Sequence, residues 1–133
     1  MPETNARIFN PPDLHQPTGY SHVAEVTGGR IVFISGQVAL NKKGELVGKD
    51  DYSAQTRQIF ENLKTALAAV GGTLNDIIKL NYYVVDLSHI TEIRTVRETF
   101  LNRERPPVST AVEVGSLVRP EFLVEIEAVA LVH

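Results

Sequence analysis

The chain of 133 residues has the length of one domain, and its composition, 43% hydrophobic and 22% charged, is ordinary for a globular protein. Thirteen basic and 16 acidic residues give a net charge of −3, so no overall positive field attracts a nucleic acid, and none is expected as a partner. No apolar run reaches the roughly 20 residues that cross a bilayer, and the N-terminus lacks the layout of a secretory signal. We therefore expect a soluble, cytoplasmic protein with no membrane partner.

The absence of cysteine excludes disulfides, thiolate metal sites and a cysteine nucleophile. The four histidines, His15, His22, His89 and His133, are widely spaced and form no pair of the HExxH kind. We expect no metal site.

The first half of the chain predicts two strands, a helix and a further strand. The apolar runs HVAEV and IVFISG flank TGGR, a turn signal that predicts a hairpin over residues 22–38. Asp50 and Asp51 can cap a helix that ends at Gly71-Gly72 and whose apolar residues recur at three- and four-residue spacing. Those apolar residues are Ile59, Phe60, Leu63, Ala66, Leu67 and Val70. Residues 77–86, IIKLNYYVVD, are rich in β-branched and aromatic side chains and predict a strand.

The second half adds a helix and two strands. Ser88 is the expected start of the second helix, which RERPP ends, and Ile90, Ile93, Val96 and Phe100 share one face of it. Strands are predicted over residues 108–114 and 122–132, with GSLVRPE between them. Because no linker or repeat interrupts this order, we predict one α+β domain over residues 1–133.

The last strand is apolar on both faces. Side chains alternate with period two, so Val124, Ile126, Ala128 and Ala130 point one way. Leu123, Glu125, Glu127, Val129 and Leu131 point the other way. Two helices cover only one face of a sheet, and a large exposed apolar patch is unusual for a soluble monomer. We predict that another subunit covers the second face.

Four motifs in the same order resemble the RidA/YjgF family, whose best-known members hydrolyse reactive imines and enamines. The C-terminal segment, residues 106–132, matches its signature at Pro107, Val108, Thr110, Val112 and at Glu125, Ile126 and Glu127. GYSH at residues 19–22, SGQ at 35–37 and NLKTALAAVG at 62–71 match three further motifs. The signature arginine is missing, because its position holds Ser109.

The resemblance implies a mixed sheet of about six strands with two helices on one face, the chorismate-mutase-like fold. It also implies a homotrimer with barrel-like packing of the sheets and small-molecule sites in the clefts between subunits. In such a cleft, Glu125 would position or activate the water that attacks the imine carbon, helped by a backbone carbonyl near Ala111. Tyr20 and the backbone of Ser35 and Gly36 would line the pocket.

The residues themselves leave alternatives open for Glu125. A carboxylate that becomes buried at an interface loses hydration and can exchange protons with a water molecule. The alternative is a structural carboxylate that is hydrogen-bonded across the interface, which is also our interpretation of Glu127.

Ser109 changes the expected chemistry. The resemblance implies that in the deaminases of the family an arginine at this position binds the substrate carboxylate through a bidentate ion pair, which serine cannot form. Ser109 and Thr110 can hydrogen-bond a differently shaped ligand or simply satisfy polar groups of the sheet. Arg94, with Arg97 three residues on, can restore the positive charge or can be a solvated helix residue.

Two function classes follow. The first is a hydrolase (deaminase) of imines, enamines or related metabolites, which needs no cofactor because water, a carboxylate and backbone groups suffice; its substrate differs from the usual 2-imino acid. The alternative is a non-catalytic trimeric small-molecule binding or regulatory protein. RNA cleavage has been attached to some members of the family, but the negative charge and the lack of a basic stripe oppose it.

Overall fold

The computed structural model describes residues 5–102 and 104–133, which form six strands and two α-helices. The strands are β1 (Ala6–Phe9), β2 (Val23–Val26), β3 (Arg30–Gln37), β4 (Ile77–Val84), β5 (Val108–Glu113) and β6 (Val124–Val132). The helices are α1 (Tyr52–Ala68) and α2 (Ile90–Glu98). The predicted α+β fold and the order helix, strand, helix and two strands from α1 onwards are confirmed, and β1 is a strand in addition to the two predicted before α1.

The six strands divide into a mixed sheet and a separate ribbon. The main sheet has the order β3-β6-β4-β5, in which β5 runs parallel to β4 and the other neighbours are antiparallel. β1 and β2 form a two-stranded antiparallel ribbon. The ribbon is joined to the edge of the main sheet at β5, because Ser21 bridges to Val108 and its N–H donates to the Pro107 carbonyl at 3.2 Å.

The hairpin predicted over residues 22–38 is wrong. β2 pairs with β1, and β3 pairs with β6 instead. TGGR does reverse the chain, with Gly29 in the left-handed region at φ 88°, but the two flanking strands enter different sheets. The physical reason is burial: Val32 and Ile34 of β3 lie beside Ala130 and Ala128 of β6, where α1 covers them, and β2 offers no comparable partner.

Helix α1 begins and ends close to the predicted signals. The Asp51 side chain accepts a hydrogen bond from the Ala54 N–H at 3.0 Å and so caps the helix. The helix ends at Ala68, and the Gly72 N–H donates back to the Leu67 carbonyl while Gly71 takes φ 78°. Within the described part of the chain, no helix is long and apolar enough to cross a membrane.

Helix α2 starts differently from the prediction. A 3-10 turn (Leu87–His89) precedes it, and the cap of that turn is Asp86, whose side chain accepts from the Ser88 N–H at 2.9 Å. Asp86 therefore takes the capping role that was predicted for Ser88, since an aspartate side chain can accept from the N–H two residues on. Hydrogen bonds from the Ser88 side chain and then from the Ser88 N–H lower the pKa of the Asp86 carboxyl.

The core lies between one face of the sheet and the two helices. On β6 the inward residues are Val124, Ile126, Ala128 and Ala130, as predicted, and α1 packs on them with Ile59, Phe60, Leu63 and Leu67. The opposite face, called here the open face, is not covered within the protomer. Phe33 is 78% exposed and Ile31 54% exposed on it, beside Val129 and Leu131. The predicted apolar second face is therefore confirmed, except that Leu131 is buried within its own chain.

Candidate functional site

Helix α2 and the strands β4 and β5 enclose a cavity of about 220 Å³, called here the helix-side pocket. Its lining residues are Thr18, Tyr20, Tyr82, Ile90, Ile93, Arg94, Arg97, Ser109 and Ala111. Four of the predicted site residues therefore meet here: Tyr20, Arg94, Ser109 and Ala111. A larger cavity of about 530 Å³ adjoins it and shares Thr18, Tyr20, Arg94 and Arg97.

The register of the sheet and the helical period explain this grouping. Ser109 lies beside Leu80 and Ala111 beside Tyr82, so both β5 residues point to the face that the helices cover. Arg94 and Arg97 are three residues apart on α2 and lie on the same side of the helix.

Tyr20 is held at the pocket by two histidines. Its hydroxyl is hydrogen-bonded to His15 Nε2 at 2.8 Å, and His22 Nε2 is hydrogen-bonded to the His15 carbonyl at 2.8 Å. The rings of His15 and His22 meet edge to face with centroids 4.7 Å apart. His22 therefore supports the pocket rim through His15.

The two arginines differ in their environment. The Arg97 guanidinium forms an ion pair with Glu98 at 2.8 Å, and its side chain is only 13% exposed. It packs against the backbone of Gly19, where an added Cβ would lie 2.7 Å from Arg97 Nη2. Arg94 is exposed and forms no side-chain hydrogen bond or ion pair with any residue of the described segments 5–102 and 104–133. Arg94 is thus the cation that is available to a ligand.

Tyr82 carries an unsatisfied polar group. The residue is 4% exposed, and its hydroxyl, which lies beside the Arg97 guanidinium, has no hydrogen-bond acceptor among the described residues. Burial raises the pKa of this hydroxyl to about 12, although the nearby guanidinium of Arg97 opposes the rise. The hydroxyl therefore stays protonated near neutral pH and remains a donor without an acceptor.

Glu125, the predicted catalytic residue, lies on the open face. It is half-buried beside Tyr83 of β4, and its side chain crosses directly over Gly36 of β3. A Cβ at Gly36 would stand 2.7 Å from Glu125 Cδ and 2.8 Å from Cγ. The absent side chain at Gly36 therefore makes room for the Glu125 carboxylate, at an irregularity where the register between β3 and β6 shifts.

Glu127 is anchored within the protomer. Its Oε1 accepts hydrogen bonds from Asn81 Nδ2 at 2.9 Å and from the Tyr83 hydroxyl at 2.7 Å. These two bonds hold the pKa of Glu127 below its usual value, the bond from Asn81 contributing most, and the same contact with Glu127 raises the pKa of Tyr83. Such a network favours the structural interpretation of Glu127.

The predicted site residues are thus divided between two faces of one sheet. Ser35 lines a cavity of about 310 Å³ on the open face with Phe33 and Glu127, and Thr110, beside Asn81, points the same way. The helix-side pocket and Glu125 have the sheet between them within one protomer. Within the described segments, no group of three or more His, Asp or Glu side chains is arranged to hold a metal ion.

Five lining residues of the helix-side pocket were not among the predicted site residues, and Tyr82 and Arg97 are two of them. The signals for them are present in the sequence: Arg97 follows Arg94 by three residues, and strand alternation places Tyr82 and Tyr83 on opposite faces. Only the strand register shows that Tyr82 is the one on the pocket side.

Comparison with known proteins finds relatives that match most of the chain. The family model described as Endoribonuclease L-PSP matches residues 13–132. A RutC family protein of Pyrococcus horikoshii is 40% identical over 106 residues, which cover 79% of this chain and 82% of that protein. The 3-aminoacrylate deaminase RutC of Acinetobacter baylyi is 32% identical over 119 residues, which cover 90% of this chain and 93% of the enzyme.

Solved structures show the same fold. A Rid-family protein of unknown function from Yersinia pestis has a TM-score of 0.88 and 38% identity, with coverage of 97% of this chain and 100% of that one. RidA from an Antarctic Psychrobacter has a TM-score of 0.72 and 32% identity, with coverage of 98% and 100%. Since the family match spans nearly the whole sequence and these relatives share the fold, the chain belongs to the RidA/YjgF family.

Proposed function

We propose that the protein hydrolyses a reactive imine, enamine or related small metabolite in a cleft between the subunits of a homotrimer. The observation that carries this proposal is the position of Glu125, whose carboxylate crosses Gly36 on an apolar face that the protomer leaves uncovered. A deaminase among the relatives, acting on 3-aminoacrylate according to its name, supports the reaction class.

The division of the site between two faces of the sheet supports a cleft between subunits. Within one protomer, the sheet separates Glu125 from Ser109, Ala111 and Arg94. One small ligand therefore cannot contact Glu125 and the helix-side pocket of the same chain. The uncovered residues Ile31 and Phe33 give a second subunit an apolar surface on which to pack. Such packing would bring the Glu125 of one chain towards the helix-side pocket of the next.

The proposed reaction needs only water and groups of the chain. Glu125 takes a proton from water while the water oxygen forms a bond to the imine carbon. The proton passes to the nitrogen and gives an amino alcohol. The hydroxyl proton of this intermediate then passes through Glu125 to the amino nitrogen as the C–N bond breaks, and ammonia leaves with a carbonyl product. An enamine enters the same path after a proton moves from nitrogen to carbon and gives the imine.

The substrate differs from the usual 2-imino acid. Ser109 lines the helix-side pocket and cannot form the two-pronged ion pair that an arginine there would offer a carboxylate. Ser109, Thr110 and the backbone of Ser35 and Ala111 would contact a ligand of another shape, with Tyr20 at the rim.

The test is the decay of 2-iminobutanoate and of 3-aminoacrylate, each generated in place, in the presence of the native protein and three variants. Glu125→Ala is expected to abolish the acceleration, while Glu61→Ala, an exposed carboxylate of α1, serves as the matched control and retains it. Ser109→Arg is expected to gain activity on 2-iminobutanoate. Equal rates for native protein and Glu125→Ala on every substrate would refute the proposal.

A second candidate, a non-catalytic trimeric small-molecule binding or regulatory protein, rests on Ser109. If the native chain and Ser109→Arg both fail to accelerate decay but bind a ligand, this second function replaces the first. RNA cleavage, which the name of the family model suggests, is not proposed, because the net charge of −3 opposes binding to a phosphate backbone.

A further inference from the structure

We infer that the helix-side pocket binds a small organic monocarboxylate, whose oxygens accept hydrogen bonds from the Tyr82 hydroxyl and from the guanidinium groups of Arg94 and Arg97. The inference deepens the proposed function, on which it rests only in treating this pocket as part of the substrate cleft. It assigns the binding of the ligand carboxylate to Tyr82 of β4 and to the arginines of α2, whereas the signature arginine position of the family, Ser109, is on β5.

The unsatisfied hydroxyl of Tyr82 is the first reason. A buried donor without an acceptor destabilises the folded chain, and most such groups in proteins are satisfied. Tyr82 lines the pocket and has no acceptor among the described residues. A ligand oxygen placed beside the Arg97 guanidinium supplies that acceptor.

The charge of the lining residues is the second reason. The two adjoining cavities are lined by two guanidinium groups, Arg94 and Arg97, and by one carboxylate, Glu98. The ion pair between Arg97 and Glu98 leaves the charge of Arg94 unbalanced among these lining residues. One excess positive charge matches a monoanion, and planar guanidinium groups suit a carboxylate in particular.

The size and the remaining polar groups are the third reason. The helix-side pocket has a volume of about 220 Å³, below that of pockets for drug-sized ligands, so the part of the ligand that it holds is small. Ser109, Tyr20 and Thr18 line the same cavity and can hydrogen-bond the other end of the molecule. Ile90 and Ile93 offer an apolar wall for its carbon atoms.

The experiment compares 3-oxobutanoate with its neutral amide, 3-oxobutanamide, by titration calorimetry of the full chain at low ionic strength. The carboxylate is expected to bind and the amide to bind at least about tenfold more weakly, since hydrogen bonds to a charged group are the stronger ones. In Tyr82→Phe the carboxylate affinity is expected to fall roughly tenfold or more. Arg97→Gln is expected to weaken binding likewise, whereas Arg57→Gln, an exposed arginine of α1, leaves it unchanged.

Tyr83→Phe is the matched control, because it removes a hydroxyl from the next residue on the opposite face. The two tyrosine variants are expected to behave in opposite ways. Without ligand, Tyr82→Phe is expected to melt at the native temperature or above it, because the Tyr82 hydroxyl is a buried donor without an acceptor. Tyr83→Phe is expected to melt lower, because the hydrogen bond that its hydroxyl donates to Glu127 is lost. With ligand, only Tyr82→Phe loses affinity.

The inference is overturned if 3-oxobutanoate binds no tighter than the amide, if its dissociation constant exceeds roughly 10 mM, or if Tyr82→Phe and Arg97→Gln keep the native affinity. Its failure is distinguishable from failure of the proposed function. Hydrolysis that depends on Glu125 without carboxylate binding refutes the inference alone, and carboxylate binding without hydrolysis refutes the function alone.

Discussion

Gly36→Ala tests the relation between Gly36 and Glu125. The new Cβ would lie 2.7 Å from Glu125 Cδ, about 0.7 Å short of the 3.4 Å at which ordinary van der Waals contact begins. The end of the Glu125 side chain is flexible and half-buried, so it is expected to rotate away, and the backbone keeps its place. Stability should change by less than about 1 kcal/mol, because alanine in place of glycine also restricts the unfolded chain. Displacement of a catalytic group by about 1 Å can lower a rate roughly 100-fold, which is the expected loss of imine hydrolysis.

The assay pairs the imine decay rate with the melting temperature of each variant. Gly115→Ala is the matched control, because nothing lies within 4 Å of a Cβ at that glycine and its φ is not in the left-handed region. It is expected to keep both the rate and the stability. In the Glu125→Ala background, Gly36→Ala should have no further effect on the rate, since the displaced group is already absent.

Two results would refute the reasoning. Full hydrolysis in Gly36→Ala would show that the position of Glu125 over Gly36 is irrelevant to the reaction. A loss of about 3 kcal/mol or more in stability that Glu125→Ala does not relieve would show that the new methyl group meets the backbone and not the carboxylate.

Two further predictions concern the open face. Glu127→Gln should lower the melting temperature at pH 7: the pKa of Glu127 is held below its unfolded value of 4.5, so its stabilisation is complete above that pH and is lost as the pH falls through the lowered folded value. The difference from the native chain should therefore shrink in melts at acidic pH, and a constant difference would contradict the assignment. Phe33→Glu should leave the folding of the chain intact but reduce the mass in sedimentation equilibrium from that of three chains towards one chain of 14.7 kDa. If the native protein has the mass of a single chain, the prediction that another subunit covers the open face is contradicted.

Helix caps and the spacing of apolar residues predicted most of the helices and strands, because these signals depend on interactions between residues that are close in the sequence. Asp51 and Gly71-Gly72 bracket α1, since a side-chain acceptor at the start and a left-handed residue after the end satisfy the helix termini wherever the helix lies. The alternation along β6 predicted its buried residues for the same reason. The hairpin over residues 22–38 failed because a turn specifies a change of direction, while the partner of a strand depends on which distant strand completes the core.

The sequence by itself determined the family, the type and order of most elements and an apolar second face, and it predicts Glu125 and Ser109 as site residues. These follow from residue types at fixed spacing, which need no coordinates. Only the tertiary structure decided that Glu125 and the pocket lie on opposite faces, that Gly36 makes room for a carboxylate and that Tyr82 is buried without an acceptor. Each of these depends on distances between residues far apart in the chain, which are set by the pairing of β3, β4 and β5 with their neighbours and by the packing of α2 against them.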